Sequence, residues 1–349
     1  MPRRPPILRH AALAVFLLWA CNTGAAQPAA HPYPNTEGFG VAFSKDEDWY
    51  GHCMRVVRPP APGAPGTTAK LRCDASDLYY QKRDQEKTSN AEWRQVRACA
   101  EATGNDAVLM MLHANGYGTS RDTDRAIHHA CKLDTAKAEM EARVGYLAAP
   151  AAADGQAFDL CDHITSGRMG GVCAAIKEGR ADRIRGARLE RFVASLPARA
   201  RQPFARLREA AEAFSRKSTD EVDMSGSGAA GFTFRHAGRR DAEFMETLLK
   251  AASGELPRAS ALELAQLDRQ LNREYQKVMA TPSEQDTHPQ RIHYLTVERE
   301  DVRSTERVWL AYRDAWEPFI AVAGLRTDFT SIRAALTRQR IAQLKRIQK

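Results

Sequence analysis

The chain has 349 residues, 51 Lys and Arg against 43 Asp and Glu, a formal net charge of +8, and 43% apolar residues. With the first 26 residues set aside, about 323 remain, enough for two or three domains with real cores, and the charge falls by three to +5 as Arg3, Arg4 and Arg9 leave. No G-x-S-x-G, H-E-x-x-H or Walker loop occurs, which removes the usual signatures of serine hydrolases, zinc peptidases and P-loop nucleotidases.

Residues 1–26 read as a signal peptide. Arg3, Arg4 and Arg9 make a basic start, Ala11 to Ala20 is apolar, and Gly24-Ala25-Ala26 before Gln27 offers small residues for cleavage. The apolar run is too short to span a bilayer comfortably. A second reading is a lipoprotein signal, because Leu18-Trp19-Ala20-Cys21 has the outline of a lipobox, with Trp a poor residue at its second place. Both readings imply export, to the periplasm or medium, with membrane contact only through a lipid on Cys21.

Without Cys21, six cysteines are left: Cys53, Cys73, Cys99, Cys131, Cys161 and Cys173. An even set in a chain bound for an oxidising compartment predicts three disulfides. Zinc is the competing reading, invited by His52 beside Cys53, His128 and His129 beside Cys131, and His163 near Cys161. No C-x-x-C is present and no spacing matches a zinc module, so no metal or cofactor is assigned.

Residues 27–72 are Pro- and Gly-rich and read as an extended opening segment, with short strands or irregular structure at Phe39 to Phe43 and Cys53 to Val57. From Cys73 to residue 176 the texture is helical. Leu78-Tyr79-Tyr80 aligns over Leu109-Met110-Met111, and Cys99 over Cys131, an offset of 31 to 33 residues that fits a helix-turn-helix repeat, with a fainter third copy from Ala138 to Cys161. The middle unit, with its apolar helix, Gly116 and Gly118 turn, Asp122 and Ala-bearing second helix, resembles a Sel1-like repeat. That resemblance implies a disulfide-stapled interaction scaffold. Cys161 and Cys173 bracket a loop whose Gly167, Gly170 and Gly171 permit a turn, and they are the favoured pair.

Residues 177–254 are helical and Arg-rich, ten arginines lying between Arg180 and Arg216. A surface for anionic envelope polymers or lipid head groups is one reading; the preferred one is solvated helix faces packed through Leu189, Phe192, Leu196, Phe204, Leu207 and Phe214. No nucleic-acid partner is assigned, since an exported chain rarely meets DNA and no aromatic residues alternate with the arginines. Met224 to Gly231 reads as a flexible linker, and a helix over Asp241 to Ala252 as a cover for Trp316.

In residues 255–349, Leu264, Leu267, Leu271, Tyr275 and Val278 run at spacings of three and four, and Leu295, Val302, Trp309 and Trp316 form a heptad seam. A connector with two prolines predicts an antiparallel hairpin between these helices, and Pro318 should kink or end the second. The motif D-x-x-L-N-x-x-Y, here Asp268, Leu271, Asn272 and Tyr275, is followed by W-x-x-Y-R-D at Trp309, Tyr312, Arg313 and Asp314. This two-part pattern, over Pro257 to Val322, resembles the lysozyme inhibitor LprI-like domain (DUF1311). Such domains commonly carry a cysteine just after Y-R-D, whereas no cysteine here follows Cys173, so packing must replace that crosslink. Asp268 and Asn272, one helical turn apart, are expected as a buried hydrogen-bonded pair rather than a catalytic one. Residues 255–330 hold thirteen acidic and ten basic side chains, and the stretch from Ser331 adds six basic ones and no acid, so an acidic hairpin with a basic tail is expected.

The expectation is an all-α, non-enzymatic envelope protein: Sel1-like hairpins followed by an LprI-like hairpin or bundle. The LprI-like resemblance implies binding to another envelope protein or polymer, and a lysozyme-type muramidase as the partner. The Sel1-like resemblance implies a periplasmic scaffold without inhibitor activity.

Overall fold

A computed structural model describes residues 33–57, 73–149 and 156–347. The expected signal peptide, the lipobox at Cys21 and residues 27–32 and 58–72 of the Pro/Gly-rich stretch lie outside the described residues. The described residues are all-α, with thirteen α-helices, two short 3-10 helices and two isolated bridges, and three disulfides join six cysteines.

Two hydrophobic cores form, one toward each end of a long helix. The first holds α1 (Asp48–Arg55), α2 (Ala75–Arg83), α3 (Asn90–Thr103), α4 (Asp106–Asn115), α5 (Thr123–Cys131) and α6 (Lys137–Ala148). Cys53, expected in a strand or irregular segment, is instead in α1. Trp49, Tyr50 and Cys53 share the inner face of that helix, and Phe39 packs edge-on and Phe43 tilted against Trp49. Cys53 joins Cys131 of α5 and Cys73 joins Cys99 of α3.

The pairs α2–α3 and α4–α5 pack as successive helical hairpins. Ser89 and Glu92 form a reciprocal capping box at the start of α3, and Asp122 caps α5. In the turn between α4 and α5, Gly116 and Gly118 take φ of 71° and 66°, and a Cβ on Gly118 would come within 2.6 Å of Trp93 Cβ. The third copy expected over Ala138 to Cys161 is not seen as a second helical hairpin among the described residues. After α6, residues 156–166 form turns rather than a second helix, because Asn115 exchanges hydrogen bonds with the Phe158 backbone and Asp159 binds Tyr80 and Arg83.

Helix α7 (Gly167–Ser195) links the cores, with Met169 in the first and Leu189 in the second. Cys161–Cys173 ties its second turn to the preceding segment, but the glycines between these cysteines are helical and make no turn. Their use is close approach to α9 (Ala229–Ser253): a Cβ on Gly167 would fall 1.9 Å from the Ser227 carbonyl oxygen, and one on Gly171 3.0 Å from Ala230 Cβ. Met224 to Gly231 is correspondingly an ordered turn rather than a flexible linker. Asp223 accepts from the Ser225 and Thr296 amides, and Thr296 Oγ1 accepts from the Met224 amide.

The second core adds α8 (Ala198–Lys217), α10 (Ala261–Ala280), α11 (Arg299–Asp314), α12 (Trp316–Ala323) and α13 (Phe329–Ile347). The expected α10–α11 hairpin is not the main packing: α10 lies along α13, and α11 and α12 lie along α8. The connector is long enough to let α11 leave its neighbour, and its geometry is fixed from one end. Arg299 donates to the carbonyls of Met279, Thr281 and Pro289, placing a cation at the C-terminus of α10. Leu295 lies in this connector, outside the helix that carries Val302 and Trp309. Pro318 cannot donate to the Asp314 carbonyl, and the helix breaks at Ala315 between α11 and α12.

Candidate interaction site

Of the eight motif residues in the C-terminal region, Leu271, Trp309 and Tyr312 are buried, and the aromatic ones join a larger cluster. Trp309, Tyr312, Trp316 and Phe319 project from α11 and α12 into the second core, each at most 4% exposed. Tyr312 stacks on Phe214 of α8 at 5.6 Å, Trp316 meets Phe244 of α9 edge-on at 6.0 Å, and Phe319 packs on Phe204 at 5.2 Å. Helix α9 thus supplies the expected cover for Trp316. Burial pushes the Tyr312 hydroxyl well above its usual pKa, so it stays neutral. Arg313 lies over the Trp309 ring at 5.3 Å and pairs with exposed Asp314 at 2.9 Å. Leu271 is buried and Tyr275 half-buried.

The other polar pair of the motif is not assembled as expected. Asn272 is exposed, and Asp268 faces Arg333 of α13 at 3.8 Å. The reason is the altered pairing of α10: its partner is a helix rich in arginine, so its carboxylates turn towards guanidinium groups. Glu263 likewise pairs with Arg338.

The residue that ties the bundle together is Arg340, which the sequence reading passed over. It is fully buried, donates from Nη1 and Nη2 to both carboxylate oxygens of Glu221 at 2.8 and 2.6 Å, and from Nε to Glu306 at 2.8 Å. Burial opposes its charge, but Glu221 and then Glu306 more than offset that and hold its pKa above the ordinary arginine value. A signal was available, since Arg340 interrupts the apolar row Ile332, Leu336, Leu344 at four-residue spacing.

These pairings correct the charge picture. Three carboxylates of residues 255–330 are spent on α13, and α13 is an interior helix carrying ten buried residues, not a free basic tail. The acidic and basic segments pair with each other within one bundle. What faces solvent is mixed: Leu262 and Tyr294, both 69% exposed, beside charged positions such as Glu300, Arg303 and Arg307.

In the first core the histidines near cysteines have other partners. His129 Nδ1 is 2.8 Å from Asp106, His128 Nδ1 is 3.1 Å from the Val56 carbonyl, and His113 stacks on His129. Among the described residues, no group of three or more His, Cys, Asp or Glu is placed to hold a metal. Among them, too, no helix is long and apolar enough to cross a membrane.

Fold and geometry define an all-α, disulfide-bonded protein whose C-terminal bundle uses its recognisable motif to build a core beneath a mixed polar surface. That bundle contains an LprI-like domain: residues 249–344, just over a quarter of the chain, match the family model described as "Lysozyme inhibitor LprI". No curated protein and no solved structure matches the chain.

Proposed function

We propose that this is an exported, non-enzymatic cell-envelope protein whose LprI-like bundle binds another envelope protein, a lysozyme-type muramidase being the partner to test first. The observation that carries this reading is the LprI match over 249–344, which spans the end of α9, all of α10 to α12 and most of α13. Three disulfides add support, because such crosslinks persist in oxidising compartments. Residues 1–26 act as the signal peptide, with anchoring through Cys21 as the variant of that reading. In domain terms, residues 27–72 are the entry segment, crosslinked through Cys53 to the Cys-rich helical hairpins of 73–176, with 177–254 the Arg-rich bridge and 255–349 the LprI-like part.

The test is a lysis assay in which oxidised, full-length protein is titrated against a muramidase at low and at physiological salt. Inhibition that saturates near equimolar protein supports the inhibitor reading. No slowing of lysis at either salt, together with no binding by calorimetry, removes it for the enzyme tested. The second reading is a Sel1-like scaffold using the N-terminal hairpins, favoured by the 31-to-33-residue offset between α2–α3 and α4–α5 and by the Gly116 and Gly118 turn. Binding of an envelope protein that survives surface substitutions in α10 and α11 but not in α2 to α5 would select it.

A further inference from the structure

Between α9, the end of α13, residues 221–223 and Leu295 lies a cavity of about 290 Å³. Its floor is Arg240, 4% exposed, which donates from Nη2 to Glu243 at 3.0 Å. Arg240 Nε and Nη1 are buried and have no acceptor among the described residues. A buried guanidinium with unused donors is costly, and such groups are normally satisfied by a ligand or ordered water. His236, one turn earlier on the same face, also has a buried, unpartnered Nε2. At the rim stand Arg239 and Arg346, exposed and without an ion pair among the described residues.

The acids around the cavity are already engaged. Glu221 is held by Arg340, Asp223 accepts from Ser225 and Thr296, and Glu243 is shared by Arg240 and Gln343. The unused donors therefore belong to three arginines that line the cavity from two helices, two from α9 and one from α13. Several donors from more than one helix suit the three-oxygen face of a tetrahedral oxyanion better than a planar carboxylate. Phe232, Val222, Leu295 and Ile347 complete the wall with apolar surface for an organic substituent.

We propose that this cavity is a binding site for a phosphate group, carried as a small phosphomonoester, with Arg240 as the buried anchor and Arg239 and Arg346 as the rim. His236 is the built-in reporter. Burial first, and then the charges of Arg240, Arg239, Arg340 and Arg346, push its pKa down to about 3. A bound dianion beside it favours the imidazolium and raises that value.

The experiment uses intact, oxidised protein with phenyl phosphate and inorganic phosphate as probes, and chloride at matched ionic strength as control. Binding is read by calorimetry, and the His236 titration by NMR. Phosphatidylcholine vesicles with and without phosphatidic acid separate a lipid headgroup from a free ester. The expected result is saturable binding of phenyl phosphate and a raised His236 pKa. Arg239→Gln and Arg346→Gln, both on the surface and so folded, should each weaken binding about tenfold, as for one lost charge-assisted hydrogen bond. Arg240→Met should abolish it, with Arg240→Lys recovering part. Vesicle binding that requires phosphatidic acid and is lost in the Arg239→Gln/Arg346→Gln double variant supports the same site with a headgroup as the source. The proposal is overturned if neither phenyl phosphate nor phosphatidic acid vesicles bind beyond the chloride control. It is equally overturned if binding is unchanged in the double variant, or if His236 does not respond, as for a cavity holding water alone.

Discussion

Trp309 and Arg340 carry the second core in different ways. Trp309→Ala removes a large aromatic side chain that is 1% exposed and should cost about 3–5 kcal/mol, against a much smaller loss for Trp309→Phe. Arg340→Ala leaves Glu221 and Glu306 without their common counter-ion and should cost a similar ~3–5 kcal/mol, while Arg340→Met combined with Glu221→Gln should recover a good part of it. Urea unfolding of the four variants checks both statements, and an Arg340→Ala protein as stable as wild type would contradict the second. Trp309 was legible because an aromatic heptad seam needs cover. Arg340 was not, because an arginine in sequence reads as solvent-facing unless its acids are known to lie opposite. Glu139 gives the pH dependence. Burial works to raise its carboxyl pKa, but hydrogen bonds from Thr135, Ser166 and Thr165 outweigh this and hold it at about 2. A depressed carboxyl contributes stability above its unfolded value near 4.5 that is lost as pH falls towards 2. Melting temperature should therefore drop across that window, and Glu139→Gln should be less stable at neutral pH with a shallower acid slope.

At the level of elements, helix existence was largely readable and helix partnership was not. Apolar spacing in α10 and α11 gave two amphipathic helices, yet periodicity says which face is buried, not against what. A long connector anchored by Arg299 let α11 choose α8 and left α10 to α13. The two helices that carry the motif were thus legible, while the fate of Asp268 and Asn272 depended on a pairing the spacing could not supply. Helix α13 was misread for a related reason: it is buried nearly all round, so it lacks the one-sided pattern of a surface helix, and its basic residues look like a tail. Deleting residues 331–349 should accordingly abolish the cooperative unfolding of the second core, seen as loss of near-UV dichroism from Trp309 and Trp316. A truncated protein with an unchanged melt and an unmasked acidic surface would contradict this.

The whole molecule is two cores on one long helix, and its crosslinks are unevenly placed. All three disulfides lie on the side of the first core, closing separations of 78, 26 and 12 residues. In the chain-entropy model these contribute about 4.5, 3.5 and 3 kcal/mol. Reduction should lower the transition reported by Trp49 and Trp93 far more than that reported by Trp309 and Trp316, measured by calorimetry and by single-Trp variants. Cysteine number made the crosslinks legible; their restriction to one core followed from the fold. The LprI-like segment stands in the opposite position, closed without a disulfide, by packing, by the Arg340 ion pairs and by partners outside the matched residues. Phe204 and Phe214 of α8 and Phe244 of α9 all precede residue 249, and each touches an aromatic ring of α11 or α12. That the folding unit is this larger bundle is tested most directly by comparing the thermal melts of fragments 177–349 and 249–349. The fold described here predicts a cooperative transition for 177–349 and none for 249–349. A cooperative melt of 249–349 at the temperature of the longer fragment would contradict it.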